Sequence, residues 1–287
     1  VTTTHPTAAE RMSQPYTGTT ADVGSGASVS CNDTQTLQER NDTQAMKPIP
    51  VLEIFGPTVQ GEGLLVGQKT MFVRTAGCDY RCSWCDSAFT WDGSAKDDIR
   101  YMTAEQIWSE LHTLGGNRFK HVTLSGGNPA LIPQMSALVS LLRDNGIRTA
   151  VETQGSRWQP WLLDVDDVTI SPKPPSSGMS TNFVRLDEVM TRLQWQQPQR
   201  GYCLKIVVFD EQDLAYAVDV HERYSTVPFV LQTGNDDVHG PDDDALIAKL
   251  LRKYEWLIEQ VAAEPRLSDV RVLPQLHTLV WGNKRGV

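Results

Sequence analysis

Seven short runs rich in β-forming residues recur between residues 70 and 277, at 70–77, 121–127, 148–155, 167–173, 203–209, 229–235 and 270–277. Helical patterns alternate with them. The stretch "TAEQIWSELHTLGG" opens with a Thr103…Gln106 capping box and stops at Gly115. "ALIPQMSALVSLLRDNG" carries apolar residues at helical spacing up to Gly146, and "DDDALIAKLLRKYEWLIEQVA" begins with acidic residues, where the helix dipole favours them. Repeated strand–helix units require parallel strands joined by right-handed crossovers. About six such units are too few for a closed eight-stranded ring. The expectation is therefore an α/β fold built as a partial, open β/α barrel of about six parallel strands.

Residues 1–45 have a different character, rich in Thr, Ser, Gly and Asp with no hydrophobic period. Such a stretch cannot bury enough surface to offset its ordering entropy. Val1 is an unusual first residue and Met46 opens the first patterned segment, so 1–46 is expected to be a disordered or non-native N-terminal extension. Residues 47–287 form the working domain. A formal charge of −9 with a pI near 5.2 gives no bulk attraction to nucleic acid or anionic membranes, and no apolar run reaches membrane-spanning length. Five cysteines, an odd count, and the absence of an apolar leader argue for a reducing cytoplasm rather than a disulfide framework.

The unusual residues stand where strands end. "CDYRCSWCD" (78–86) follows the first strand, "SGGNP" the second, "ETQG" the third, "SPKPP" the fourth and "QTGND" the sixth. Ligands bind at the C-terminal edge of parallel α/β sheets, so five such features on one rim point to a single site. Cys78, Cys82 and Cys85 are three clustered thiols, an awkward number. A zinc site would need a fourth ligand from Asp79, Asp86, Cys31 or a distant histidine. The alternative is a [4Fe–4S] cluster with three irons on thiolates and one left open.

The C-x3-C-x2-C spacing, with Trp84 before the last cysteine, resembles the radical S-adenosylmethionine (SAM) superfamily. "SGGNP" resembles that superfamily's glycine-rich motif, with Asn128 where many members have Glu. The resemblance implies a cluster on Cys78, Cys82 and Cys85. It also implies SAM held by Trp84, Gly127, Glu152 (ribose hydroxyls), Ser171, Lys173, Gln232, Thr233, Gly234 and Asn235. In that chemistry one electron from the cluster cleaves SAM to methionine and a 5′-deoxyadenosyl radical, which takes a hydrogen from the substrate.

The whole set "VLEIFGPTVQGEG", "FVRTAGCDYRCSWCDSAFTWDG", "SGGNPAL", "ETQG", "SPKPPSS" and "LPQLHTLVWGNKRGV" is similar to the 7-carboxy-7-deazaguanine synthase family over 47–287. That similarity implies conversion of 6-carboxy-5,6,7,8-tetrahydropterin to 7-carboxy-7-deazaguanine with loss of ammonia, on the route to queuosine and other 7-deazapurines. It further implies catalytic SAM, Mg2+ at Ser87, an electron donor such as flavodoxin or ferredoxin, and a homodimer. For the substrate it implies Gln60, Gly61 and Glu62 on the pterin edge, Arg74 on the carboxylate, Ser125 at a strand end, and His277 as a cap.

Overall fold

In the computed structural model, residues 47–196, 201–238, 240 and 243–287 are described, and the expected N-terminal extension lies outside them. Among the described residues, nine strands make one sheet in the order β3-β1-β2-β4-β5-β6-β7-β8-β9. They are β1 (Ile49–Val59), β2 (Lys69–Thr75), β3 (Arg100–Met102), β4 (His121–Gly126), β5 (Arg148–Thr153), β6 (Asp167–Ile170), β7 (Gly201–Val208), β8 (Phe229–Thr233) and β9 (Arg271–Leu273). From β2 through β9, skipping β3, every neighbouring pair is parallel, a run of seven strands that does not close on itself. The open α/β form expected from the alternation is the one found. Two antiparallel strands, β1 and β3, extend it at one edge. Both fell outside the expected parallel pattern: no α-helix separates β1 from β2, and β3 is a three-residue strand that pairs with β1.

The helices are α1 (Ala104–Gly115), α2 (Met135–Asp144), α3 (Phe183–Gln196), α4 (Glu211–Arg223), α5 (Asp243–Ala263) and α6 (Leu276–Trp281). The capping box of α1 forms as expected: Gln106 N donates to Thr103 Oγ1 at 3.3 Å and Thr103 N to Gln106 Oε1 at 2.8 Å. The i, i+4 pairs Ile107/Leu111 of α1 and Leu138/Leu142 of α2 are fully buried against the sheet. Burial of each such side chain stabilises the fold by roughly 1.5–3 kcal/mol. The run expected as a strand over 270–277 divides into β9 and the first turn of α6. Gln275 breaks it with an extended backbone and a buried side chain, which places His277 on a short helix instead of a strand.

β1 matters for the site. Because it is antiparallel to β2, its last residues pair with the first residues of β2, Val59 opposite Lys69. The "QGEG" turn therefore starts at the opposite edge from the cysteine loop. It then folds across one face of the sheet, meeting side chains of β5, β6, β7 and β8.

Candidate active site

The cysteine loop leaves β2 through Gly77 and is tied to the "SGGNP" turn after β4. Gly127 N donates to Thr75 O at 3.2 Å and Asn128 N to Gly77 O at 2.8 Å. A Cβ on Gly126 would lie 2.2 Å from Thr75 O, and one on Gly127 the same distance from Gly77 O. Both glycines thus let the two loops close on each other, and Gly127 still lines the pocket. Asn128 is completely buried and acts as the joint. Its amide donates to Asp79 Oδ1 and Ser156 Oγ at 3.0 Å, and its oxygen accepts from Thr153 Oγ1 at 2.8 Å and Ala130 N at 3.2 Å. Gln154 of "ETQG" adds a 2.6 Å bond to Asp79 Oδ1 and a 3.6 Å contact to Cys78 Sγ.

All three cysteines line one pocket of about 400 Å3. Burial raises all three thiols, Cys82 to about 11, and the neighbouring thiolates raise Cys82 and Cys85 further. Left to themselves the three are held as neutral thiols, and only a cationic centre bound between them would make all three thiolates. Tyr80 N donates to Cys78 Sγ and Trp91 Nε1 to Cys85 Sγ, each at 3.4 Å, as donors to cluster sulfurs do. Ligands of one tetrahedral zinc stand about 3.8 Å apart. Among the described residues, however, the group with ligand atoms within 4.8 Å of one another is Glu62, Asp86 and His277, not the three thiols. Of the fourth ligands considered, Asp79 is committed to Asn128 and Gln154, Asp86 groups with Glu62 and His277 instead of with the thiols, and Cys31 lies outside the described residues. The donor set fits a three-thiolate iron–sulfur cluster.

The opposite wall is the "QGEG" turn. Gln60 Nε2 donates to Glu152 Oε1 at 3.0 Å, while its Oε1 accepts from Gly61 N at 2.8 Å. Glu62 pairs with Lys205 Nζ and accepts from Gln275 Nε2 at 3.0 Å, and Lys205 also stands 3.6 Å from Glu152. Burial opposes charge on Glu62, but Lys205, His277 and the bonds from Lys205 and Gln275 hold its carboxyl well below the usual range. Burial raises Glu152, and the Glu62 charge adds to this against the pull of Lys205. Lys205 stays protonated because two carboxylates outweigh its burial. Gly61 makes room for His277, whose Nδ1 would be 2.3 Å from a Cβ there.

Between these walls lie most of the residues expected from the sequence. Arg74 reaches in from β2, flanked at 5.4 Å by the Phe55 and Phe89 rings and 3.3 Å from Glu53. Ser125 Oγ is buried with no hydrogen-bond partner among the described residues. Ser87 donates to Asp86 Oδ1 at 3.0 Å. Lys173 donates to Ser171 Oγ at 3.1 Å and stands 6.0 Å from the Trp84 ring, whose Nε1 is held by Ser176 at 3.0 Å. Asn235 lines the pocket and is tied to Asn283 at 2.9 Å. Gln232, Thr233 and Gly234 do not line it. Gln232 Oε1 instead accepts from Gly63 N at 3.4 Å, and a Cβ on Gly234 would strike the Phe209 ring at 2.0 Å. Gln232 thus meets the "QGEG" turn, and Gly234 leaves room for Phe209.

Sequence reasoning missed Lys205, Gln154, Gln275 and Arg285. Lys205 did leave a signal, a lone cation inside the apolar run "CLKIVVF". The other three lie on loops, where only the folded chain shows what they face.

An open parallel sheet carrying three clustered thiols on its C-terminal rim defines a radical SAM protein, and residues 72–168 match the model of the Radical SAM superfamily. A curated 7-carboxy-7-deazaguanine synthase of Bacillus subtilis (strain 168) is 64% identical over 241 residues, covering 84% of this chain and 99% of that protein. One from Thermoplasma acidophilum is 28% identical over 83% of this chain and 99% of its own length. The chain belongs to the 7-carboxy-7-deazaguanine synthase family. The crystal structure of QueE from Escherichia coli shares the fold, with a TM-score of 0.61 at 23% identity over 83% of this chain and 98% of that one.

Proposed function

We infer that this chain is a 7-carboxy-7-deazaguanine synthase, converting 6-carboxy-5,6,7,8-tetrahydropterin to 7-carboxy-7-deazaguanine and ammonia. One observation carries this reading: a single pocket has the three cluster thiols on one wall and the Gln60–Glu62–His277 constellation on the other. Substrate and product differ by the elements of ammonia alone, so the conversion needs no net oxidant and SAM can be regenerated each turnover. When bound at Cys78, Cys82 and Cys85, the cluster supplies the electron that cleaves SAM to the hydrogen-abstracting radical.

The chain's own residues bind and orient. Glu62, kept ionised by Lys205, accepts from the N–H edge of the pterin, and Gln60 and His277 pack beside it. Arg74 takes the substrate carboxylate, for which a planar fork of donors is suited. Ser171, Lys173, Trp84, Gly127, Glu152 and Asn235 surround SAM. Ser87, with Asp86 beside it, would hold Mg2+ through a hydroxyl and a carboxylate, a sparse protein ligand set of the kind this ion accepts. A small acidic redox protein such as flavodoxin or ferredoxin delivers the electron, and the enzyme works as a homodimer.

The test is an anaerobic assay of cluster-loaded protein with the carboxy-tetrahydropterin, SAM, Mg2+ and a reductant, with the deazaguanine followed by mass and absorbance. Product with substoichiometric SAM is expected. Fully loaded protein that cleaves SAM but leaves the pterin unchanged would overturn the assignment.

A further inference from the structure

Residues 282–287, beyond α6, run along the mouth of the pocket and line it. Their course is set by two glycines in left-handed conformation, Gly282 (φ +62°) and Gly286 (φ +75°). Asn283 anchors the segment, donating to Asp237 O at 2.8 Å and accepting from Asn235 Nδ2 at 2.9 Å. So held, Arg285 lays its guanidinium 3.6 Å from the centre of the Phe89 ring, which Arg74 approaches to 5.4 Å.

Both arginines reach one carboxylate. Arg285 Nε donates to Glu53 Oε1, whereas Arg74 Nε stands 3.3 Å from Glu53 Oε2 without the alignment of a hydrogen bond. Glu53 Oε2 is accordingly buried with no hydrogen-bond partner among the described residues. Two guanidiniums thus share a single negative charge, and the fork of Arg74 has no hydrogen bond to it. A planar anion placed at Phe89 would balance the charge and give both forks an acceptor.

We propose that Arg285 is a second binding residue for the substrate carboxylate, acting with Arg74 across Phe89, with Glu53 orienting both. This deepens the reading above and rests on it, since it takes the ligand to be a carboxylated pterin. Phe89 sets the plane, Arg74 approaches from the sheet and Arg285 from the segment that crosses the mouth. Specificity for a carboxylate at the pterin 6-position then needs residues from both ends of the domain.

The test compares 6-carboxypterin, which is oxidised and does not react, with the neutral 6-hydroxymethylpterin. Binding is read by quenching of pterin fluorescence on cluster-loaded enzyme with SAM and Mg2+. Arg285→Gln is expected to weaken 6-carboxypterin on the order of 10- to 100-fold while leaving 6-hydroxymethylpterin within about twofold, as loss of a charge-assisted hydrogen bond requires. Arg285→Lys should recover part of the lost affinity for the acid alone. Equal weakening of both pterins would reduce Arg285 to packing on Phe89 and overturn the proposal, as would no weakening of either. Wild-type enzyme that fails to prefer the acid over the alcohol would instead overturn the substrate assignment, a result visible before any variant is made.

Discussion

Lys205 shows how one side chain can set the chemistry of a wall. It is 3% exposed and stands between Glu62 and Glu152, so removing it leaves two half-buried carboxylates facing each other. Breaking such a group from one side costs about 3–5 kcal/mol, most of it from the charge left uncompensated. Lys205→Met should therefore lose stability of that order in denaturant titrations, and its affinity for 6-carboxypterin should fall with it. Adding Glu152→Gln removes the surplus charge and should restore about half the stability; a double variant no better than the single one would refute the charge argument. Ser87 offers a subtler test. Ser87→Ala removes the hydroxyl proposed for Mg2+, and misplacing the substrate by ~1 Å costs on the order of a hundredfold in rate. Product formation should drop accordingly while cluster content stays normal, and Ser87→Thr should remain active. An alanine variant whose activity still responds normally to Mg2+ would remove Ser87 from the metal site.

At the scale of elements, the site depends on the lock between the cysteine loop after β2 and the "SGGNP" turn after β4. Gly126 has φ +132° and no room for a side chain, its Cβ position lying 2.2 Å from Thr75 O. Gly126→Ala should cost at least about 2 kcal/mol from backbone strain and overpacking together. It should also lower iron content after anaerobic reconstitution, because the loop that presents Cys78 must shift. Gly146 is the control: it too has positive φ, but nothing lies within 4 Å of its Cβ position. Gly146→Ala should cost only about 1 kcal/mol and leave iron content unchanged. Equal iron loss in both variants would mean that general destabilisation, and not the lock, controls loading.

Across the whole molecule, pH resistance should have a definite acid limit. His121, 3% exposed at the start of β4, shares Nδ1 with Thr70 Oγ1 at 2.8 Å, and its Nε2 has no partner among the described residues. Burial, helped by Arg148, lowers its pKa to about 4 from an ordinary 6.5. The unfolded chain then binds a proton that the folded one refuses, so stability rises with pH across that interval. The contribution is complete above about pH 6.5 and lost on the way down to about pH 4, roughly 3 kcal/mol in all. Denaturation at pH 7 and pH 4.5 should show wild type losing more stability than His121→Asn, whose amide can still meet Thr70 and does not titrate. Parallel declines in the two proteins would assign the acid limit to other groups.

Local chemistry was legible along the chain. The alternation of β-rich and helical runs determined an open parallel sheet, because each element must bury its apolar face against the next. The spacing of Cys78, Cys82 and Cys85 pointed to the proposed three-thiolate site, since a short loop can present three sulfurs to one centre, and folding brings all three to one pocket. What faces what across the sheet was decided only by folding. The antiparallel pairing of β1 sends the "QGEG" turn across one face, where Glu62 meets Lys205, residues 143 positions apart. The same packing directs Gln232 to the backbone of Gly63 and away from the pocket. It also brings Arg285 beside Glu53 and Phe89, 232 positions from the former. Such juxtapositions leave no period or spacing in the sequence, because they depend on the curvature and register of the whole sheet and not on neighbours along the chain.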